Sequence, residues 1–135
     1  MAGYSGTPLW KKLGVKPGSR VLVAHADDGW RITDAPDGVE WVRGDDEGAL
    51  DLVLAFYRSA ADFAAELDGM GERIFPAGTL WIAWPRKAAG HVSDLGDNVV
   101  RNLALERGLV DVKVAQVDDD WSALKVVWRV ELRSR

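Results

Sequence analysis

Three apolar strand candidates separated by capped helical segments, with a tight acidic turn near the end, predict a three-layer α/β fold. Its sheet is mainly parallel, of order 2-1-3-4, with a C-terminal antiparallel hairpin at the sheet end. Asp51–Phe56 and Thr79–Trp84 are continuous apolar runs, as expected of strands covered on both faces. Helix-start signals stand after them, at Ser59 and Asp94. Asp118-Asp119-Asp120 joins two alternating strands too closely for them to run parallel. At 135 residues the chain is expected to form one domain over 1–135 with a substantial core.

The elements follow in order. Thr7 suits an N-cap, Pro8 the first helical position and Gly14 the residue past the end, which frames a short helix over Pro8–Leu13. Pro17-Gly18 fits the centre of a type II turn, and Arg20–Ala24 is the first strand. A brief helical turn is expected near Gly29–Thr33. Val39–Arg43 reads as a second, short edge strand, with Val39 and Trp41 on one face and Glu40 on the other. Asp45, Asp46 and Gly48 end it.

Ser59 and Asp62 make a capping-box-like start for a helix through about Leu67, where Gly69 and Gly71 weaken it. Pro76 and Gly78 turn the chain into Thr79–Trp84, which Pro85 stops. Pro85–Ser93 is the longest irregular segment. Asp94 is expected to cap the next helix, with Asp97 in its first turn and Leu95, Val99 and Leu103 on one stripe beside Val100 and Ala104. Arg107 and Gly108 close it. Leu109–Val117 carries Val110, Val112 and Val114 on one face. Trp121–Leu132 carries Leu124, Val126, Trp128, Val130 and Leu132 on one face. Asp111, Lys113, Lys125, Arg129 and Glu131 stand opposite, a hairpin wet on one side. Trp128 is accordingly expected to be buried between Val126 and Val130.

Composition removes several classes of chemistry. With no cysteine, disulfides, thiolate nucleophiles, Fe–S clusters and cysteine zinc sites are excluded. With 47% apolar and 28% charged residues, the chain reads as globular. No apolar stretch approaches the ~18 residues of a membrane span, and Met1–Trp10 lacks the regions of a signal peptide. A cytoplasmic protein with no membrane association is the expectation. The net charge of −4 argues against nucleic-acid binding, where a basic domain is expected. The charge is uneven. Residues 1–20 hold Lys11, Lys12, Lys16 and Arg20 without an acid, and 27–51 hold nine acids against Arg31 and Arg43.

In open α/β sheets ligands sit beyond the carboxyl ends of the strands. Two polar loops leave such ends: His25–Gly29 after the first strand, and Pro85–His91 after Thr79–Trp84. His25, Asp28, Arg86 and Lys87 are therefore the candidate ligand-binding residues. Arg86 and Lys87 would meet an anion and His25 and Asp28 would orient polar groups, with Trp84 as a stacking surface. Turn formation and solvation account for the same residues without a ligand. A metal set of His25, His91 and Asp27 or Asp28 lacks any local ligand spacing, so no metal is assigned. No G-x-S-x-G elbow and no P-loop occur, and Ser5, Ser19, Ser59, Ser93 and Ser122 sit at turns or caps. No catalytic residue and no cofactor are assigned.

Leu13-Gly14-Val15-Lys16-Pro17-Gly18-Ser19-Arg20-Val21-Leu22 and Phe75-Pro76-Ala77-Gly78-Thr79-Leu80, with the terminal hairpin, resemble the methyltransferase branch of the Rossmann-like folds. That family carries a glycine-rich loop after its first strand, which lets the backbone approach S-adenosylmethionine. Ala24, His25 and Ala26 stand there instead, with Gly29 the one glycine, and Asp45 takes the place of the acid that binds ribose hydroxyls. A resemblance covering nearly the whole chain is carried by Tyr4-Ser5-Gly6-Thr7-Pro8-Leu9, Lys11-Lys12-Leu13-Gly14, Trp84-Pro85-Arg86-Lys87, Gly108-Leu109-Val110-Asp111-Val112-Lys113-Val114 and Trp121-Ser122-Ala123-Leu124-Lys125. These motifs are similar to a bacterial family of small proteins, domain of unknown function 3052, and imply a family without an activity.

The function expected on these grounds is a non-catalytic or regulatory module that binds a small anionic or polar ligand, or a protein partner or second copy. The alternative is an S-adenosylmethionine-dependent methyltransferase-like enzyme with a degenerate cofactor loop.

Overall fold

The computed structural model describes residues 6–134, so Tyr4 and Ser5 of the motifs above lie outside the described residues. In chain order the elements are α1 (Leu9–Leu13), β1 (Arg20–Ala24), β2 (Glu40–Trp41), β3 (Leu52–Phe56), α2 (Ala60–Ile74), β4 (Thr79–Pro85), α3 (Asp97–Glu106), β5 (Leu109–Gln116) and β6 (Trp121–Trp128). One sheet orders them β2-β1-β3-β4-β6-β5. The pairs β1–β2, β1–β3 and β3–β4 are parallel, whereas β6 is antiparallel to both β4 and β5. The order 2-1-3-4 with a terminal hairpin is therefore as the sequence predicts. Only β6 is reversed. It returns through the acidic turn into the space between β4 and β5.

The apolar runs explain the layering. Every residue of β3 is buried, and Trp81, Ile82 and Ala83 of β4 are fully so. Alternate side chains feed two cores. Val53, Leu80, Ile82, Leu124 and Val126 meet Phe63, Leu67 and Ile74 of α2 and Val100 and Ala104 of α3. On the other face, Leu54, Phe56, Trp81 and Trp121 meet Leu13 and Val15 from α1 and its exit, together with Ile32 from the β1–β2 connection. The first layer has two substantial helices, while the second has five helical residues and irregular chain. Trp81 Nε1 donates to the carbonyl of Leu13 at 3.0 Å, which fastens α1 to the sheet.

Several boundaries differ from expectation for identifiable reasons. Pro8 is the N-cap of α1, one residue later than Thr7, while Gly14 ends the helix at φ +89° as expected. The Pro17-Gly18 turn forms, with Ser19 N–H donating to Lys16 O. No helical turn forms at Gly29–Thr33, because Gly29 and Asp34 adopt φ of +80° and +60°. The second strand contracts to Glu40–Trp41, and Trp41 is 48% exposed.

Ser59 caps α2 by accepting from Asp62 N–H, but the helix runs to Ile74, through both glycines. Gly71 lets the Trp128 ring pack closely there. A Cβ would stand 3.2 Å from Trp128 Cζ2, and Trp128 Nε1 donates to the Gly71 carbonyl at 2.9 Å. Asp94 does not cap α3, whose N-cap is Gly96. Its Oδ1 instead accepts from Ala60 N–H at 2.8 Å, satisfying a free donor at the start of α2.

The hairpin faces are also corrected. A bulge lies between Asp111 and Lys113, so that Asp111 opposes Val126 and Lys113 opposes Lys125. The extra residue reverses the alternation. Val110, opposite Val127, and Val114, opposite Leu124, thus face opposite sides, and Val112 and Val114 are each 51% exposed. Asp111 turns toward α3 and pairs with Arg101 at 3.0 Å. The last strand ends at Trp128, and Val130–Leu132 forms a 3-10 turn that leaves Val130 75% exposed. Trp128 is half-buried, edge-on to Phe75, and Val130 does not flank it.

Candidate functional site

Strand order reverses between β1 and β3: β2 lies to one side of β1, and β3 and β4 continue on the other. The carboxyl ends of those two strands diverge there, which is where open α/β sheets leave room for a ligand. A cavity of about 350 Å³ occupies this place, lined by His25 just after β1, Phe56 at the end of β3 with Tyr57 and Arg58 just after it, Asp62, Ala65 and Glu66 from α2, and Trp121 at the start of β6.

Its centre is a three-residue cluster. His25 Nε2 and Tyr57 Oη each lie 2.7 Å from the same oxygen, Oε1 of Glu66. Both donate to it, since an ionised carboxylate only accepts. The hydrogen bond from Tyr57, followed by that from His25, holds the Glu66 carboxyl below the usual range. Burial, and secondarily the hydrogen bond to Glu66, pushes the Tyr57 phenol well above the ordinary tyrosine value. The imidazole lies 5.4 Å from the Tyr57 ring. His25 reaches this position with φ +64°, a left-handed conformation uncommon for a residue with a side chain and a frequent mark of functional loops. His25, Ala65 and Glu66 also line a hollow of about 450 Å³ that extends to Gly44, Met70 and Arg73.

The opposite wall is cationic and aromatic. The Arg58 guanidinium lies 4.8 Å from the Trp121 ring centroid and 3.8 Å from Asp27 Oδ1. Phe56 meets Trp121 edge-on at 4.9 Å. The Ser93 hydroxyl donates to the Arg58 carbonyl, tying this corner to the loop before α3. The arrangement offers a carboxylate with two donors already on it, a guanidinium over an indole, and a second carboxylate, Asp62. It can hold a small molecule with both polar groups and a flat face.

Of the four residues proposed from sequence, His25 lines the cavity. Asp28 lies in the exposed turn Asp28-Gly29. Arg86 follows β4 and donates to the Asp119 carbonyl at 2.7 Å, and Lys87 opens the 3-10 turn Lys87–Ala89. Neither these three nor Trp84, which packs into the α2–α3 core, lines the cavity. The two histidines take different carboxylates: His91 Nε2 lies 2.9 Å from Asp120 Oδ1. Among the described residues no group of three or more His, Asp or Glu is placed to hold a metal ion. Tyr57, Arg58, Glu66 and Trp121 were not proposed from sequence. The signal for the first two was available: they directly follow the buried run that neighbours β1 in the predicted strand order.

The glycine-rich cofactor loop that the methyltransferase resemblance implies is not matched here. A histidine side chain occupies the turn after β1 and is bonded to Glu66, and Asp45 lies in an exposed loop, outside the cavity lining. These residues do not fit close backbone approach to S-adenosylmethionine.

No family model matches the chain, and no curated protein is similar to it in sequence. Its fold is nevertheless shared. The CcbJ methyltransferase of Streptomyces caelestis superposes with a TM-score of 0.59 at 11% identity, over 90% of this chain and 88% of that one. The magnesium protoporphyrin IX methyltransferase of Synechocystis with bound S-adenosylmethionine gives 0.58 at 11% identity, over 90% and 74%. The fibrillarin pre-rRNA processing protein of Methanococcus jannaschii gives 0.58 at 13% identity, over 84% and 68%. No helix among the described residues is long and apolar enough to cross a membrane. At these identities the likeness establishes a Rossmann-like, methyltransferase-type α/β fold, and it establishes the fold alone.

Proposed function

We propose that this chain is a small-molecule-binding module of the methyltransferase-like fold, with its ligand between the ends of β1 and β3. The carrying observation is the coincidence of the strand-order reversal with a cavity where His25, Tyr57 and Arg58 converge with Glu66. Arg58 meets an acidic group of the ligand, Trp121 supplies a flat apolar wall, and the Glu66 cluster receives a hydrogen-bond donor. Membership of the bacterial small-protein family belongs to the same proposal, supported by Trp84-Pro85-Arg86-Lys87 and Gly108–Val114. So does a cytoplasmic protein of one domain.

A second reading, a methyltransferase that uses S-adenosylmethionine, is favoured by the solved-structure neighbours over a module without catalysis. The loop chemistry at Ala24-His25-Ala26 opposes it. Calorimetric titration with S-adenosylmethionine and S-adenosylhomocysteine separates the two. The module reading expects no binding tighter than ~10 μM, about −7 kcal/mol. Tighter binding, lost in Arg58→Ala, supports the enzyme. A screen of small carboxylates and phosphates followed by amide resonances tests the module itself: shifts confined to His25, Tyr57, Arg58 and Glu66 support it. Shifts confined to Asp28, Arg86 and Lys87 move the site to the β4 loop.

A further inference from the structure

On the α1 face of the sheet, away from the cavity, Lys113 and Lys125 stand together with the charge of Lys16 acting on them, and no ion pair to an acid holds any of the three among the described residues. Lys113 of β5 and Lys125 of β6 are direct cross-strand partners, and Lys125 is in turn the partner of Trp81 on β4. Residues paired in this way point to the same side of a sheet. The face is the one that carries Trp81, Leu13 and Val15, and Lys16, which follows Val15 in the chain, completes the group.

Like charges placed directly opposite on neighbouring strands are destabilising, so the arrangement needs a reason. Lysine on an edge strand guards against pairing with other chains, and β5 is an edge, so Lys113 is explained that way. Its Nζ also lies 6.0 Å from the Trp81 ring centroid. Lys125 is not so explained. It stands on an inner strand, half-buried, between an indole and another ammonium. Burial first, then the charges of Lys113 and Lys16, lowers its pKa, and no carboxylate among the described residues offsets them. Acids are not scarce in a chain with 21 of them against 17 lysines and arginines, yet none among the described residues pairs with this group.

We propose that Lys16, Lys113 and Lys125 form an anion site for the phosphate of a small phosphorylated molecule. A multiply charged oxyanion between the three ammonium groups replaces the missing counter-charge and accepts their N–H donors. Lys16 and Lys113 are exposed and Lys125 is half-buried, so the anion reaches the group from solvent. The site is independent of the cavity at the β1–β3 divide.

The probe is inorganic pyrophosphate, titrated against chloride at matched ionic strength, with backbone amide shifts and the thermal midpoint as readouts. Saturable shifts centred on Lys113 and Lys125, with a raised midpoint, are expected. Lys113→Gln should weaken pyrophosphate at least about tenfold, as loss of one charge-assisted hydrogen bond does. Lys125→Met should abolish the response and melt higher than the parent without the anion. Arg58→Gln should leave the response intact. Equal responses in parent and Lys113→Gln, or shifts confined to Arg86, Lys87 or the cavity, would overturn the proposal. Sedimentation with phosphatidylglycerol vesicles without a pyrophosphate response would overturn it in favour of a lipid surface.

Discussion

Trp81→Phe tests the account of how the thin face is held. The indole is fully buried, and its Nε1 donates to the carbonyl of Leu13, a residue 1% exposed at the end of α1. That carbonyl belongs to the last turn, where no helical N–H remains to reach it. Phenylalanine removes ~40 Å² of apolar contact, worth ~1 kcal/mol at ~25 cal/mol per Å². Leaving the Leu13 carbonyl buried and unpaired adds ~1–3 kcal/mol, for a total of ~2–4 kcal/mol. Trp128→Phe is the control. Its indole also donates to a carbonyl, that of Gly71, but the ring is half-buried and water can replace the bond, so ~1 kcal/mol is expected. Urea midpoints at unchanged slope give both numbers. Hydrogen exchange should show Gly14 and Val15 losing protection in Trp81→Phe and keeping it in Trp128→Phe. A Trp81→Phe cost below ~1 kcal/mol, the ordinary cost of a mild substitution, or one no larger than that of Trp128→Phe, would refute the reasoning.

Gly78→Ala should destabilise by ~3 kcal/mol or more in a thermal or urea melt, because a Cβ there meets backbone, the carbonyls of Leu50 and Ile74, which cannot move aside as side chains do. Tyr57 keeps its proton in the fold at a pH where the unfolded chain, with an ordinary tyrosine value of 10.0, has lost it. Its contribution is therefore complete below about pH 10 and lost as pH rises further. Tyr57→Phe should flatten the alkaline limb of the stability curve relative to the parent, and coincident limbs would count against the Glu66–Tyr57 contact.

What was legible in the sequence was what one segment decides by itself. Asp51–Phe56 and Thr79–Trp84 are apolar on both faces, so they are central strands wherever they sit, and a turn as short as Asp118–Asp120 permits only an antiparallel return. The misread features were decided by contacts distant in the chain. Gly71 reads as a helix breaker until Trp128, 57 positions later, is seen to bond its carbonyl and pack close against its Cα. Asp94 has the right chemistry for a cap and the right place before a helix, yet the free N–H it satisfies belongs to Ala60, 34 positions earlier. A bulge at one residue of β5 separated Asp111 from Lys113, which strict alternation had put on the same face.

The candidate site follows the same logic and shows where sequence reading had unused information. The four proposed residues came from the two loops with the most polar content, and only the loop after β1 contributes to the cavity, through His25. Polar content is a weak guide, because loops are polar for reasons of turn geometry. Topology is the stronger one. Once the order 2-1-3-4 is accepted, the reversal falls between β1 and β3, and the residues leaving β3, Tyr57 and Arg58, become candidates ahead of those leaving β4. Glu66 was not recoverable that way. It lies in the second turn of α2, which a helical pattern marks as a surface position, and it becomes a site residue only because α2, capped by Ser59, begins at Ala60 soon after β3 ends at Phe56, and so carries its first two turns past the end of β1. The short link from β3 to α2 thus places the carboxylate, and the left-handed turn at His25 brings the imidazole to it.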